Sequence, residues 1–294
     1  MKTLRYHFTA LMVVIVWGTT FVATKMLLYN GLSPKDIFFY RFLLAYVCIW
    51  IFGGSRFFRH KEFFAGTFKD EFLLMLMGIT GGSLYFVAAN TALDMTTASN
   101  VALLVCVAPI FTVLLSLPFL KNERLGRYWW QGSLLALAGV AFVVFNGRFV
   151  LEINPLGDKL SLLAAFSWAL YTILLKRLGS RYSTQFITRK VFFYGLLTLL
   201  PLFLFQPLKL DMEVLMQPAV WGNLLYLAIV ASLLCFFLWN VTVKRLGAVQ
   251  TANYIYLSPL VTMIASVIVF DDVITIAAVV GAILILSGVA LAKR

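Results

Sequence analysis

The sequence predicts an all-α integral membrane protein of ten transmembrane helices, arranged as two inverted five-helix repeats with both termini cytoplasmic. Three observations predict it. Of 294 residues, 62% are apolar and only 12% are charged, about half the charged fraction of an ordinary soluble domain. The apolar residues come in long unbroken blocks separated by short basic connectors. The chain also repeats itself at a spacing near 150 residues.

A helix needs about 20 apolar residues to cross about 30 Å of hydrocarbon. Ten blocks meet that length: 8–29, 36–54, 72–93, 97–119, 128–147, 157–176, 186–206, 219–242, 247–270 and 273–292. Helices are required because hydrocarbon leaves no water to satisfy an open backbone. A barrel would need strands of alternating polarity, and no such alternation is present. The first block follows a short basic stretch, Met1 to His7, as a secretory signal would. It runs on to about Leu28 without a small-x-small cleavage site, which predicts a retained helix. The longest connector, about Ser55 to Glu71, is too short for a domain.

The connectors orient the blocks. With the N-terminus inside and one crossing per block, 16 basic residues fall inside and 4 outside, whereas acids fall 4 inside and 8 outside. This is the positive-inside bias. One miscounted helix would invert every later connector and erase it.

The repeat keeps its order along the whole chain. Trp17 and Lys25 recur as Trp168 and Lys176, Asn90 and Pro109 as Asn240 and Pro259. Gly132 and Gly139-Val140-Ala141 recur as Gly281 and Gly288-Val289-Ala290. The halves are placed at 1–148 and 149–294, with five helices each. Five is odd, so the second half enters the membrane inverted. Inverted repeats are a recurring transporter architecture, with the substrate site between the halves near the midplane. Ancestral duplication without mechanistic consequence is the other reading.

The chain resembles the EamA-type family of the drug/metabolite transporter superfamily. The residues that carry the resemblance are Trp17-Gly18-Thr19-Thr20-Phe21 and its counterpart Ser167-Trp168-Ala169-Leu170-Tyr171, the pairs Ala108-Pro109 and Ser258-Pro259, and the Gly-Val-Ala endings of helices five and ten. Where the family has Gly-Glu after helices four and nine, this chain has Asn122-Glu123 and Asp271-Asp272. The resemblance implies a secondary carrier in a bacterial inner membrane that moves small metabolites, amino acids first, with export as the direction. A sugar or nucleotide-sugar exchanger of the same superfamily is the alternative. A membrane-bound enzyme or receptor is a remoter one.

Charge inside a membrane segment is costly and draws functional suspicion. Lys25, Arg41, Arg189 and Lys190 are the four such cations. Each is close enough to an interface to snorkel. Lys25 and Arg41 are the better pair for holding a substrate carboxylate in a cavity. The expected substrate-binding set is Trp17, Thr20, Lys25, Arg41, Tyr85, Asn90, Trp168, Tyr171, Trp239, Asn240 and Tyr254. Trp17 and Trp168 fall near the midplane, away from the usual aromatic belts. An apolar pocket with a few polar handles suits a small amphipathic ligand. The embedded asparagines serve equally as helix–helix glue. Pro109, Pro118, Pro201 and Pro259 lie inside helical blocks and bend them. Pro109 and Pro259, as repeat mates, are candidate hinges. Gly132 with Ala136, and Ala277 with Gly281, are small-xxx-small pairs that bring helices close, within one chain or between two.

No catalytic triad, metal-ligand cluster or phosphate loop occurs in the sequence. The sequence therefore predicts neither an enzyme nor a cofactor. Cys48, Cys106 and Cys235 all lie in apolar blocks and form no CxxC pair. His7 and His60 sit in polar flanks and are read as solvated. No carboxylate lies deep in a helix, so a buried proton relay is not supported. The net charge of +12 is scattered through connectors, without the basic face that nucleic acid requires. The partners are a small-molecule substrate and the lipid bilayer. The oligomeric state is open, and a monomer is compatible with the sequence.

Overall fold

The computed structural model describes residues 3–59, 63–96, 98–119, 126–145, 154–208, 212–270 and 274–292. Among them there are helices, turns and bends, and no strand. We name the long helices α1 (Leu4–Tyr29), α2 (Pro34–Arg59), α3 (Phe68–Met95), α4 (Asn100–Phe119), α5 (Trp129–Phe145), α6 (Pro155–Leu178), α7 (Thr184–Phe205), α8 (Pro218–Leu246), α9 (Ala248–Val269) and α10 (Ile276–Ala292). Seven of these are long and apolar enough to cross a membrane: α1, α3, α4, α6, α7, α8 and α9. α5 and α10 are apolar but shorter. α2 runs to Arg59, past its expected end at 54, which shortens the longest expected connector. A single-turn helix, Met212–Leu215, lies in a predicted connector. Asn122-Glu123, Asp271-Asp272 and His60 lie outside the described residues.

Local chemistry sets several helix starts. The side chains of Thr67, Asn154 and Ser183 accept from the backbone N–H of Asp70, Gly157 and Phe186, respectively. Each thereby satisfies an orphan donor of a first turn. Asp158 in the first turn of α6 and Lys176 and Arg177 in its last complement the helix dipole.

The two candidate hinge prolines sit at breaks within α4 and α9 rather than in unbroken α-helix. Pro109 is the second residue of the segment Ala108–Phe119, and Pro259 the second of Ser258–Phe270. A turn at Cys106–Val107 precedes the first, and a 3-10 stretch, Asn253–Leu257, precedes the second. The reason is that proline has no N–H and its ring meets the carbonyl four residues back. The carbonyl thus freed before Pro259 is that of Ile255, which accepts from Cys106 Sγ at 3.7 Å.

α3 and α8 each widen into a π-helical turn, at Ile79–Ser83 and Tyr226–Leu234. In the first, Gly82 leaves helical geometry altogether (φ −120°, ψ −106°). Each π turn exposes a carbonyl that another helix satisfies. Ser167 Oγ of α6 donates to Thr80 O at 2.8 Å, and Trp17 Nε1 of α1 donates to Ala231 O at 3.0 Å.

The small residues of α5 and α10 pack against each other within the chain. A Cβ on Gly139 would lie 2.6 Å from Gly281 O, and one on Gly288 would lie 2.4 Å from Ala136 N. Close approach of two backbones needs positions without side chains.

Candidate functional site

A cavity that opens to the outside of the bundle is walled by α1, α2, α3, α4, α6, α8 and the break in α9. Six members of the expected set line it: Trp17, Thr20, Arg41, Tyr85, Asn90 and Trp168. Phe21, Phe86, Cys106, Phe236 and Ser258 also line it. The wall is a continuous aromatic array. Trp17 meets Trp168 edge-on at 5.1 Å, Tyr85 lies 5.0 Å from Trp168, and Phe236 lies 5.6 Å from Trp168. The first and last of these pairs are edge-to-face, a geometry that aromatic rings favour.

Gly18 explains how α1 reaches this position. A Cβ there would lie 2.6 Å from Val261 Cβ and 2.9 Å from Ser258 O, and Thr262 Oγ1 donates to Gly18 O at 2.7 Å. The Trp17-Gly18 motif and the Ser258-Pro259 motif are therefore in contact across the halves.

Arg41 is 3% exposed and carries the cavity's charge. Its Nε donates to Ser232 Oγ at 2.5 Å, and its guanidinium carbon stands 4.3 Å above the Phe86 ring. No carboxylate among the described residues pairs with it. Asn90 Nδ2 donates to Pro34 O, which fixes its amide at the wall.

The other expected residues lie outside the lining. Lys25 Nζ donates to Leu93 O at 2.7 Å and sits 5.3 Å from the Tyr29 ring centroid. It thus sits beside the cavity, bonded to a residue that lines it. Trp239 lies behind Trp17, with ring centroids 4.9 Å apart and no exposure. Tyr171 Oη donates to Asn240 Oδ1 at 2.6 Å, and Asn240 Nδ2 donates to Thr188 Oγ1 at 2.9 Å, a sealed network. Tyr254 Oη hydrogen-bonds His7 Nδ1 at 2.8 Å. His7 is thus packed rather than simply solvated.

Arg189 and Lys190 turn into the protein. They are 6% and 4% exposed. Lys190 Nζ pairs with Glu71 Oε1 at 2.5 Å, and Tyr194 Oη donates to the same carboxylate. Arg189 lies over the rings of Trp50 and Phe186 at 5.6 and 5.4 Å. Nearby, Arg181 Nη1 and Tyr182 Oη both bond Asp70. These contacts join the start of α3 to α7 and to the turn before it, closing the end of the bundle opposite Lys25. Sequence alone missed this cluster because its acids lie at a predicted helix end, where solvation is the simpler expectation. Among the described residues no three His, Cys, Asp or Glu side chains gather as metal ligands would.

The model of the EamA-like transporter family matches this chain twice, over residues 4–145 and 155–294. The chain belongs to the EamA-like transporter family. Relatives of the family agree in length and naming. An uncharacterized transporter of Archaeoglobus fulgidus is 28% identical over 288 residues, covering 96% of this chain and 95% of its own. A "probable amino-acid metabolite efflux pump" of Escherichia coli is 28% identical, covering 95% of this chain and 91% of its own. A "probable terminal-alkyne amino-acid exporter" of Streptantibioticus cattleyicolor is 26% identical, covering 100% and 95%. A solved crystal structure has the same fold, with a TM-score of 0.77 over 98% of both chains at 19% identity. This EamA-like protein is a multi-pass inner-membrane transporter.

Proposed function

We propose that the protein is a secondary carrier that exports small carboxylate-bearing metabolites, amino acids or related compounds, by alternating access. The observation that carries this reading is Arg41, a buried cation in an aromatic cavity without a carboxylate partner among the described residues. An uncompensated buried charge is expensive. A substrate carboxylate supplies the missing anion, and the guanidinium fork matches its two oxygens. The aromatic wall receives the apolar remainder of the substrate. The efflux names of two relatives support the outward direction.

The same reading has ten crossings, cytoplasmic termini and halves at 1–148 and 149–294. The basic residues, 16 inside against 4 outside, support the count. The two family matches support the division. Alternating access draws support from an asymmetry between repeat mates. Asn90 lines the cavity, whereas Asn240 is sealed at 0% exposure. Exchange of the two shapes between the halves would open the opposite side. In this reading Pro109 and Pro259, at the breaks in α4 and α9, absorb the change.

Proteoliposomes loaded with labelled amino acids, sugars and nucleotide sugars test the proposal. Amino acids are expected to leave the wild type. Arg41→Gln is expected to slow them tenfold or more, since a hydrogen bond to a charged group contributes about 1.5–3 kcal/mol and about 1.4 kcal/mol is tenfold. Movement of sugars alone, or indifference to Arg41→Gln, would overturn it.

A further inference from the structure

Arg41 stands on α2, yet the contact that orients it comes from α8. Ser232 lies inside the π-helical turn Tyr226–Leu234, is fully buried, and accepts Arg41 Nε through its hydroxyl. Phe86 of α3 covers the guanidinium plane at 4.3 Å. With Nε and one face engaged, the two terminal Nη groups remain. Neither has a hydrogen-bond partner among the described residues, although the residue lines the cavity.

The π turn is itself held from the other side. Trp17 Nε1 bonds Ala231 O, the residue before Ser232, and Tyr226 Oη donates to Val16 O at 3.2 Å. A π turn carries one residue more per turn than an α-helix and so rotates the side chains that follow it. Here the turn places Ser232 toward α2 while its neighbour's carbonyl faces α1. The cavity's aromatic wall and its cation are therefore tied to the same stretch of α8 backbone.

We propose that Ser232 is the positioning residue of the site: by holding Arg41 Nε it presents both Nη groups, as a fork, to the carboxylate of the substrate. This rests on the carboxylate reading of the cavity given above. A merely structural serine would affect folding and all ligands alike. A positioning serine affects only ligands that Arg41 grips.

The test uses full-length protein in nanodiscs and the quenching of its tryptophan fluorescence, since Trp17 and Trp168 line the cavity. The probes are leucine, 4-methylpentanoate (carboxylate without the amine) and leucinamide (amine without the carboxylate). The wild type is expected to hold both carboxylates at least tenfold more tightly than leucinamide. Ser232→Ala is expected to lower carboxylate affinity about tenfold, to leave leucinamide within twofold, and to keep the melting temperature near wild type. Ser232→Thr, which retains the hydroxyl, is expected to restore the preference. A wild type without carboxylate preference overturns the carboxylate reading and this role with it. A wild-type preference that survives Ser232→Ala overturns the positioning role alone. Equal loss of all three probes, not rescued by threonine, does the same by assigning Ser232 to folding.

Discussion

The indole N–H of Trp17 donates to the carbonyl of Ala231 at 3.0 Å, which joins α1 to the π turn of α8. The opposite half holds a counterpart. Ser167 Oγ donates at 2.8 Å to Thr80 O, in the π turn of α3. Thr80 and Ala231 are 151 residues apart, as are Trp17 and Trp168, while the donors Trp17 and Ser167 occupy adjacent rather than equivalent repeat positions. Two interior π turns at matching places are a costly feature, and such turns concentrate at functional sites. Both are completed by a side chain from another helix, as membrane interiors require.

Ser167→Ala should therefore leave Thr80 O without its donor. Interhelical hydrogen bonds of membrane proteins contribute on average about 0.6 kcal/mol and reach about 1.7 kcal/mol. A stability loss in that range is expected in mixed-micelle unfolding. Trp17→Phe should cost more, because it also disturbs the contacts with Trp168 and Trp239. An unchanged Ser167→Ala unfolding curve would show that the bond is dispensable to the π turn.

The α5–α10 contact predicts a sharp dependence on side-chain size. Any Cβ at Gly139 or Gly288 meets backbone atoms, which cannot swing aside. Gly139→Leu and Gly288→Leu should abolish the monodisperse peak in detergent chromatography. Gly222→Leu, where a Cβ meets nothing within 4 Å, should leave it intact. Normal elution of both packing variants would show that α5 and α10 need not touch.

The Glu71–Lys190 pair predicts a strong non-additivity. The lysine side chain is 5% exposed and the glutamate's 16%. Breaking a buried pair by removing one partner costs about 3–5 kcal/mol, because the other charge is left uncompensated. Because this pair is only part-buried, Glu71→Gln should lose less than that, about 1–3 kcal/mol, in unfolding experiments. The double variant Glu71→Gln with Lys190→Met should recover most of it. A double variant as unstable as the single one would show that Glu71 matters for Tyr194 and the Ala65 N–H rather than for the charge.

Lys25 offers a choice between two readable outcomes. Its ammonium bonds Leu93 O and ties α1 to the end of α3. Lys25→Met is expected to lower thermal stability while the affinity for amino acids changes little. Lost binding at unchanged stability would place the ammonium in the site instead of beside it.

Much of this architecture was legible in the chain because hydrocarbon acts locally. A crossing segment must be apolar for its full length, so blocks such as Thr97–Leu120 declare themselves without any knowledge of neighbours. The aromatic cavity-lining residues Trp17, Tyr85 and Trp168 were equally visible, as large side chains at mid-helix depth. Ser232 was not. A serine among apolar residues carries no signal until the π turn that aims it is known.

What the sequence by itself determined is the set of apolar blocks, their likeness between halves and the rare charges within them. Tertiary structure alone decided what surrounds each charge. Lys25 and Arg41 look alike in a list, but helix rotation, set by packing, gives one a carbonyl and the other a cavity. Asn90 and Asn240 are repeat mates in sequence, yet one faces open space and the other is sealed. Two similar stretches of one chain need not pack alike, because each meets different neighbours. Only the folded molecule gives these repeat mates their different surroundings.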